Sequence, residues 1–356
     1  MQKKCSDYNI KVIMQKRILL LYTGGTIGMK QDPVTLALKP FNFNQILEEV
    51  PELKKFGCEI DTYSFDPLID SSDMQPEFWV RLAGMIQENY SRYDGFVVLH
   101  GTDTMSYTAS ALSFMFENLA KPVVLTGSQL PIGMLRTDGK ENLISSIEIA
   151  SSSDENGNPV VPEVCIYFDA HLYRGNRTTK YNAENFRAFR SANFPVLADV
   201  GIHIKFNPNN ILLPDSFSEP LRISTSLDTR VAVLKIFPGI TREVVDAVLG
   251  MDGIRGVVLE TFGSGNAPTA GWFVERVKNA VRKGLLVLNV TQCQAGKVDM
   301  DAYATGIALK NEGVISGYDS TFEAAVTKMF YVLGQTEDLV EAKRLLNSNL
   351  RGEITI

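Results

Sequence analysis

Apolar runs that stop abruptly at glycine punctuate the first half of the chain. Ile18-Leu19-Leu20-Leu21-Tyr22 gives way to Thr23-Gly24-Gly25-Thr26, Gly95-Phe96-Val97-Val98-Leu99 to His100-Gly101-Thr102-Asp103-Thr104, and a third run over 122–126 to Gly127-Ser128-Gln129. Runs without alternation read as strands buried on both faces, the habit of a parallel sheet, each delivering its last residues to a turn at the sheet's carboxyl edge. Between them the spacing becomes helical, over 41–50, 77–90, 107–118 and 142–150; the second of these carries an apolar stripe at Phe78, Leu82, Met85 and Ile86 behind Pro76. Residues 59–65 alternate like a half-buried strand, and 164–168 form another apolar run. This rhythm predicts an α/β fold with a doubly wound, mostly parallel sheet.

Past 172–180 the pattern loosens into short extended pieces, and Pro, Asn and Ser accumulate over 207–228. A second alternation then opens: a strand at 231–237, a helix at 242–249, a strand at 257–261, a helix at 272–282, a strand at 285–291, and helices at 320–333 and 339–346. The predicted organisation is a loosely ordered extension (1–16), a larger amino-terminal α/β domain (17–206), a linker (207–228) and a smaller carboxyl-terminal α/β domain (229–356). The polar run 151–159 reads as a surface turn, because a strand follows directly.

A length of 356 residues suits two domains, each with its own core. The net charge of −6 argues against nucleic acid or an anionic membrane as partner, since both demand clustered Lys and Arg. No apolar stretch approaches the roughly 18 residues of a membrane span. The run 18–22 is too short for a secretory leader despite the lysines before it, so the expected location is cytoplasmic. Cys5, Cys58, Cys165 and Cys293 form no C-x-x-C pair and read as free buried thiols in a reducing compartment. His100, His171 and His203 lack metal-ligand spacing, so neither a metal nor a cofactor is expected.

Gly-Gly lets backbone approach a small ligand closely, and ligands collect beyond the carboxyl ends of parallel strands. Neither G-x-G-x-x-G nor a phosphate loop ending in Gly-Lys-Ser/Thr is present, so the first turn is not a nucleotide cradle; it places Thr26 on an exposed, mobile hinge. In the second turn, Thr102, Asp103 and Thr104 stand where one helix cap would suffice. Lys180 reads most simply as a solvated surface charge. Should it instead reach Thr102 and Asp103, the carboxylate compensates its charge and partial burial makes it a proton acceptor. A threonine hydroxyl needs such a base to act as a nucleophile, and Thr, Lys and Asp together can run acyl transfer without histidine.

Tyr-Thr-Gly-Gly-Thr-Ile-Gly-Met and His-Gly-Thr-Asp-Thr-Met, followed in order by Thr-Gly-Ser-Gln, Arg-Gly-Asn-Arg-Thr-Thr-Lys, Gly-Asn-Ala-Pro and Thr-Gln-Cys, resemble the bacterial cytoplasmic (type I) L-asparaginases. The resemblance runs from about Arg17 to the carboxyl terminus. It implies hydrolysis of L-asparagine to L-aspartate and ammonia, with Thr26 as nucleophile and Thr102, Asp103 and Lys180 managing protons. Asp70, Ser71 and Ser72 match the loop that grips the substrate's carboxylate and ammonium, beside Thr102 and Asp103; a plain Asp-Ser-Ser cap ahead of the Pro76 helix is the bland reading. Thr179, Thr291, Gln292 and Cys293 match positions used by a separate effector site in some relatives. Glu260 stands there in place of an arginine, which predicts weak or absent cooperativity.

The tyrosine that many relatives carry shortly after the nucleophile is missing from 30–40, where Ala37 occupies about its place. Tyr303 is the substitute candidate. The resemblance also implies a homodimer or homotetramer, with Asn266 near an intersubunit site. Rival readings are the amidohydrolase component of an archaeal transamidosome, which typically carries an additional amino-terminal domain; a non-catalytic amino-acid sensor; and a nucleotide-binding α/β protein.

Overall fold

The computed structural model describes residues 15–31, 38–40, 50–268 and 271–356. Residues 41–49 of the helix expected over 41–50, most of the extension 1–16, and Ala37 lie outside the described residues. Eight strands make the larger sheet: β1 (Lys16–Tyr22), β2 (Cys58–Ser64), β3 (Gly95–Leu99), β4 (Val123–Thr126), β5 (Val164–Phe168), β6 (His171–Arg174), β7 (Ala198–Val200) and β8 (Ile204–Phe206). Their order is β8-β7-β6-β5-β4-β3-β1-β2. The pairings among β2, β1, β3, β4 and β5 are parallel, while β6, β7 and β8 turn back antiparallel.

Alternate residues of one strand feed opposite cores, as a sheet covered on both faces requires. Leu19, Leu21, Phe96 and Val98 face helices α1 (Pro76–Asn89) and α2 (Met105–Met115), packing with Phe78, Leu82 and Leu112. Ile18, Leu20, Val97 and Leu99 face helix α3 (Gly139–Ser151) through Leu143 and Ile147. The predicted stripe of α1 is buried at Phe78, Leu82 and Ile86, with Met85 at its margin.

A second, all-parallel sheet runs β9 (Val231–Lys235), β10 (Gly256–Thr261), β11 (Leu286–Thr291), β12 (Ile315–Ser316). Around it stand α4 (Arg242–Leu249), α5 (Gly271–Arg282), α6 (Ala304–Asn311), α7 (Phe322–Gln335) and α8 (Leu339–Asn347). The sequence pattern missed α6 and β12. Only Gly306 and Leu309 of α6 are buried, too few to make a helical stripe, and β12 has two residues. Helix α7 joins the domains: Phe114 of α2 sits in one core with Val258, Leu288 and Val332, and stacks on Tyr331 at 6.0 Å between ring centroids. Among the described residues no helix is long and apolar enough to cross a membrane. The described cysteines are free, but only Cys165 is buried; Cys58 is half-buried and Cys293 exposed, contrary to the expectation of buried thiols.

Candidate active site

The first two glycine turns meet at the carboxyl edge of the larger sheet. Thr23, just past β1, donates from both its backbone N–H and its hydroxyl to Leu99 O, at 3.0 and 2.9 Å. Gly25 follows at φ 92°, and a side chain there would come within 2.6 Å of Gly101 Cα, so the two turns touch backbone to backbone. Thr26 then opens a short 3₁₀ turn, Thr26–Gly28. It is half-buried rather than held out on an exposed hinge, and its hydroxyl has no hydrogen-bond partner among the described residues.

The Asp70 loop closes over this junction. Ile69 N–H donates to Thr23 O at 2.9 Å, and the Thr104 hydroxyl donates to Ser71 O at 2.7 Å. Any side chain at Gly101 would collide with Ser71 Oγ. Thr104 therefore stands at the N-cap of α2 but spends its hydroxyl on the neighbouring loop instead of the cap. Asp70 caps the 3₁₀ turn Ser71–Asp73, its Oδ1 accepting from Ser72 N and Ser72 Oγ at 2.9 Å each. These bonds, the backbone one foremost, hold its carboxyl below the usual range.

Lys180 is no solvated surface charge. Its Nζ donates to Thr102 Oγ1 at 2.8 Å and to Asp103 Oδ1 at 2.7 Å, with the lysine side chain 16% exposed and the aspartate 64%. Both bonds span more than 70 residues of sequence, from the strand Thr179–Lys180 to the turn after β3. The structure thus gathers Thr102, Asp103 and Lys180, and lays the turn bearing Thr26 and the loop bearing Asp70, Ser71 and Ser72 against the same corner.

Two supports were not singled out from sequence. Gln129 Oε1 lies 3.5 Å from the Thr102 hydroxyl, while its Nε2 donates to Ala183 O and Asn185 O, both at 3.1 Å. Its position after the third apolar run was the available signal. His100 is fully buried, and its Nδ1 faces Gly101 O at 2.7 Å, which only accepts, so that nitrogen carries the proton. Nε2 then accepts from Thr108 Oγ1 at 2.9 Å, which in turn accepts from Trp79 Nε1 at 2.9 Å. This directed chain pins the peptide that leads into Thr102, and burial pushes the imidazole down to about 4.

The remaining candidates make no hydrogen bond to Thr102, Asp103 or Lys180 among the described residues. Tyr303 ends the loop that leads into α6, as its extended N-cap residue; it is 56% exposed, and its phenol makes no hydrogen bond among the described residues. Asn266, on the turn after β10, accepts from Thr305 Oγ1 at 3.4 Å beside it. Thr291 donates to Gly263 O at 2.6 Å and accepts from Cys293 N, while Gln292 Nε2 donates to Ile236 O and Glu260 O. Glu260 pairs with Lys235 at 3.4 Å. Thr179 belongs to the larger domain and bonds to Glu323 Oε1 of α7 at 2.5 Å. Among the described residues no group of three or more His, Cys, Asp or Glu is placed to hold a metal ion.

Comparison with known proteins agrees with this two-domain fold. The family model "Asparaginase, N-terminal" matches residues 17–212, and "Glutaminase/Asparaginase C-terminal domain" matches residues 230–346. The chain belongs to the asparaginase family. Among its relatives, L-asparaginase 1 of Escherichia coli K12 is 43% identical over 344 residues, covering 96% of this chain and 99% of that one. The crystal structure of L-asparaginase I from Vibrio cholerae superposes with a TM-score of 0.87 at 41% identity, over 96% of this chain and 100% of the other. The thermostable L-asparaginase from Thermococcus kodakarensis superposes with a TM-score of 0.85 at 34% identity, over 95% of this chain and 99% of that one. Membership makes the chain an amidohydrolase of asparaginase type, built as the two α/β domains seen here.

Proposed function

We propose that the chain hydrolyses L-asparagine to L-aspartate and ammonia through a threonine acyl-enzyme, with Thr26 as nucleophile. The observation that carries this reading is Lys180 Nζ, 2.8 Å from Thr102 Oγ1 and 2.7 Å from Asp103, at the corner where the Thr26 turn meets the second glycine turn. Thr26 Oγ1 attacks the carbon of the side-chain amide, and its proton passes to the leaving nitrogen through the Thr102–Lys180 pair. The C–N bond breaks, ammonia departs and an ester remains on Thr26. Water then adds to that ester, giving up a proton to the same pair, and releases aspartate with the hydroxyl restored.

Asp103 compensates the lysine charge and faces the substrate ammonium, while Asp70, Ser71 and Ser72 hold the substrate's α-groups. Backbone N–H groups of the glycine turns offer themselves to the tetrahedral oxyanion. Tyr303 is the proposed phenol of the site. Its exposed place, two residues before the Thr305 that bonds to Asn266, fits the reading in which a second copy of the chain, in a homodimer or homotetramer, presents that edge to the crevice. Thr179, Thr291, Gln292 and Cys293 stay proposed effector contacts. The reading also keeps a cytoplasmic location and the domain division at 207–228.

The decisive experiment measures ammonia release from asparagine and glutamine for the wild type and Thr26→Ala. Loss of turnover on the order of 1,000-fold or more is expected for the variant; undiminished turnover removes Thr26 from the reaction. Thermal shift with asparagine, aspartate, ATP and NAD separates the hydrolase from a nucleotide binder.

A further inference from the structure

The strand that carries Lys180 is only two residues long, and a two-residue strand does not fix a catalytic ammonium by itself. The fastening lies three residues upstream. Arg177 ends a buried 3₁₀ turn, Gly175–Arg177, and its side chain is 1% exposed. Its guanidinium makes a two-pronged bond to Asp319, Nη1 to Oδ1 at 2.9 Å and Nη2 to Oδ2 at 2.7 Å. Nη1 also donates to Glu353 O at 2.6 Å, and Nη2 to Asn193 O at 3.2 Å and Thr355 Oγ1 at 3.3 Å.

These acceptors come from the lead-in to α7, from the turn at Asn193, and from the last residues of the chain. Those last residues are stitched to the same segment elsewhere. Asn176 Nδ2 donates to Arg351 O at 2.9 Å, Arg174 Nη1 to Gly352 O at 3.3 Å, and Thr355 N–H to Asp319 Oδ1 at 2.7 Å. Glu353 anchors this strap: it is fully buried, pairs with Lys328 of α7 at 2.6 Å, and accepts the N–H groups of Leu350 and Arg351. Two residues past Arg177, Thr179 is tied to Glu323 in the first turn of α7. Successive strand side chains point to opposite faces, so with Thr179 held against α7 the next residue, Lys180, turns toward Thr102.

A buried ion pair is a poor source of net stability, because desolvation offsets most of its attraction; a planar two-pronged pair does set geometry closely. We infer that Arg177 is a positioning residue for Lys180: clamped by Asp319 and the carboxyl-terminal strap 350–355, it fixes the backbone that holds the lysine ammonium between Thr102 and Asp103. The chain's final residues are thereby part of what aligns the reacting groups. The inference rests on the proposed role of Lys180.

Arg177→Lys keeps the charge and loses the fork. For asparagine, kcat is expected to fall about 10- to 100-fold, the range a misplacement near 1 Å produces, with KM within threefold because the Asp70 loop is untouched. The readout that general loosening would not move is a double-mutant cycle: in a Lys180→Met background, Arg177→Lys should lower the residual kcat no further. Asp319→Asn, which weakens the same clamp without emptying it, serves as the second variant and decides the matter if Arg177→Lys does not fold. Wild-type kcat in a folded clamp variant, or a full additional loss in the Lys180→Met background, overturns the inference. If Lys180→Met itself turns over normally, the proposed role of Lys180 fails as well; if it is crippled while the clamp variants are normal, only the clamp fails.

Discussion

At the carboxyl edge of the larger sheet, Lys180 bonds to two side chains 77 and 78 residues away in sequence, and Thr102 lies within reach of a third, Gln129. At the matching edge of the smaller sheet, Thr291 and Gln292 donate to backbone carbonyls of the neighbouring turn and strands. Both edges are built from parallel strands ending in polar loops. Side chains bonded to backbone hold loops in shape, the commoner use of such bonds, whereas side chains bonded to one another across distant segments set the mutual geometry of reactive groups. The proposed chemistry uses the first edge, where Lys180 ties two distant side chains together; at the second, side chain-to-side chain bonds such as Thr305 to Asn266 and Lys235 to Glu260 join segments closer in sequence.

The sharpest way to break that contrast is Lys180→Met, which should lower kcat for asparagine by about 100-fold or more while the melting temperature stays near wild type. A modest loss would place the chemistry elsewhere. Acid should also strike the larger domain through His100, the buried imidazole that follows β3. With its folded pKa at about 4 against an ordinary 6.5, buried His100 stays neutral where the unfolded chain would bind a proton. The stability from its neutral form is whole above pH 6.5 and is lost as pH falls toward 4, by up to about 3 kcal/mol. Acid titration followed by Trp79 fluorescence in a Trp272→Phe variant should show this loss, and His100→Gln should flatten it. An unchanged acid slope in the variant would remove His100 as its source.

Tyr303→Phe tests whether the second edge takes part after all. A drop in kcat of well over tenfold with folding intact is expected if the phenol completes the site; near-normal turnover confines the reaction to the first edge. The smallest effect concerns cooperativity. With Glu260 paired to Lys235 beside Gln292, a carboxylate effector meets like charge, so the rate should rise hyperbolically with asparagine. A clearly sigmoidal curve would assign regulation to the smaller domain.

Much of this was legible in the pattern of residues. The buried strands before Thr26, Thr102 and Gln129 announced themselves because a strand covered on both faces has no polar position to spare, and α4 spans the residues its spacing predicted. Helix α6 was illegible because so little of it is buried, so nothing in the pattern showed that Tyr303 stands at the entrance to a helix. Cys293 misled in the same way: an apolar strand precedes it, yet β11 ends at Thr291 and the thiol emerges into solvent.

What the sequence determined by itself was a set of local preferences: which runs must be covered, where glycine admits backbone contact, and which residue types could move a proton. That Lys180 meets Thr102 and Asp103, that His100 closes a hydrogen-bond chain from Trp79, and that the last residues grip Arg177 were decided only by tertiary structure. Each joins segments far apart in the chain. Periodicity reports the surroundings of one segment, while a hydrogen bond depends on separations of a few tenths of an ångström between two, and only the packing of the sheets and helices sets those.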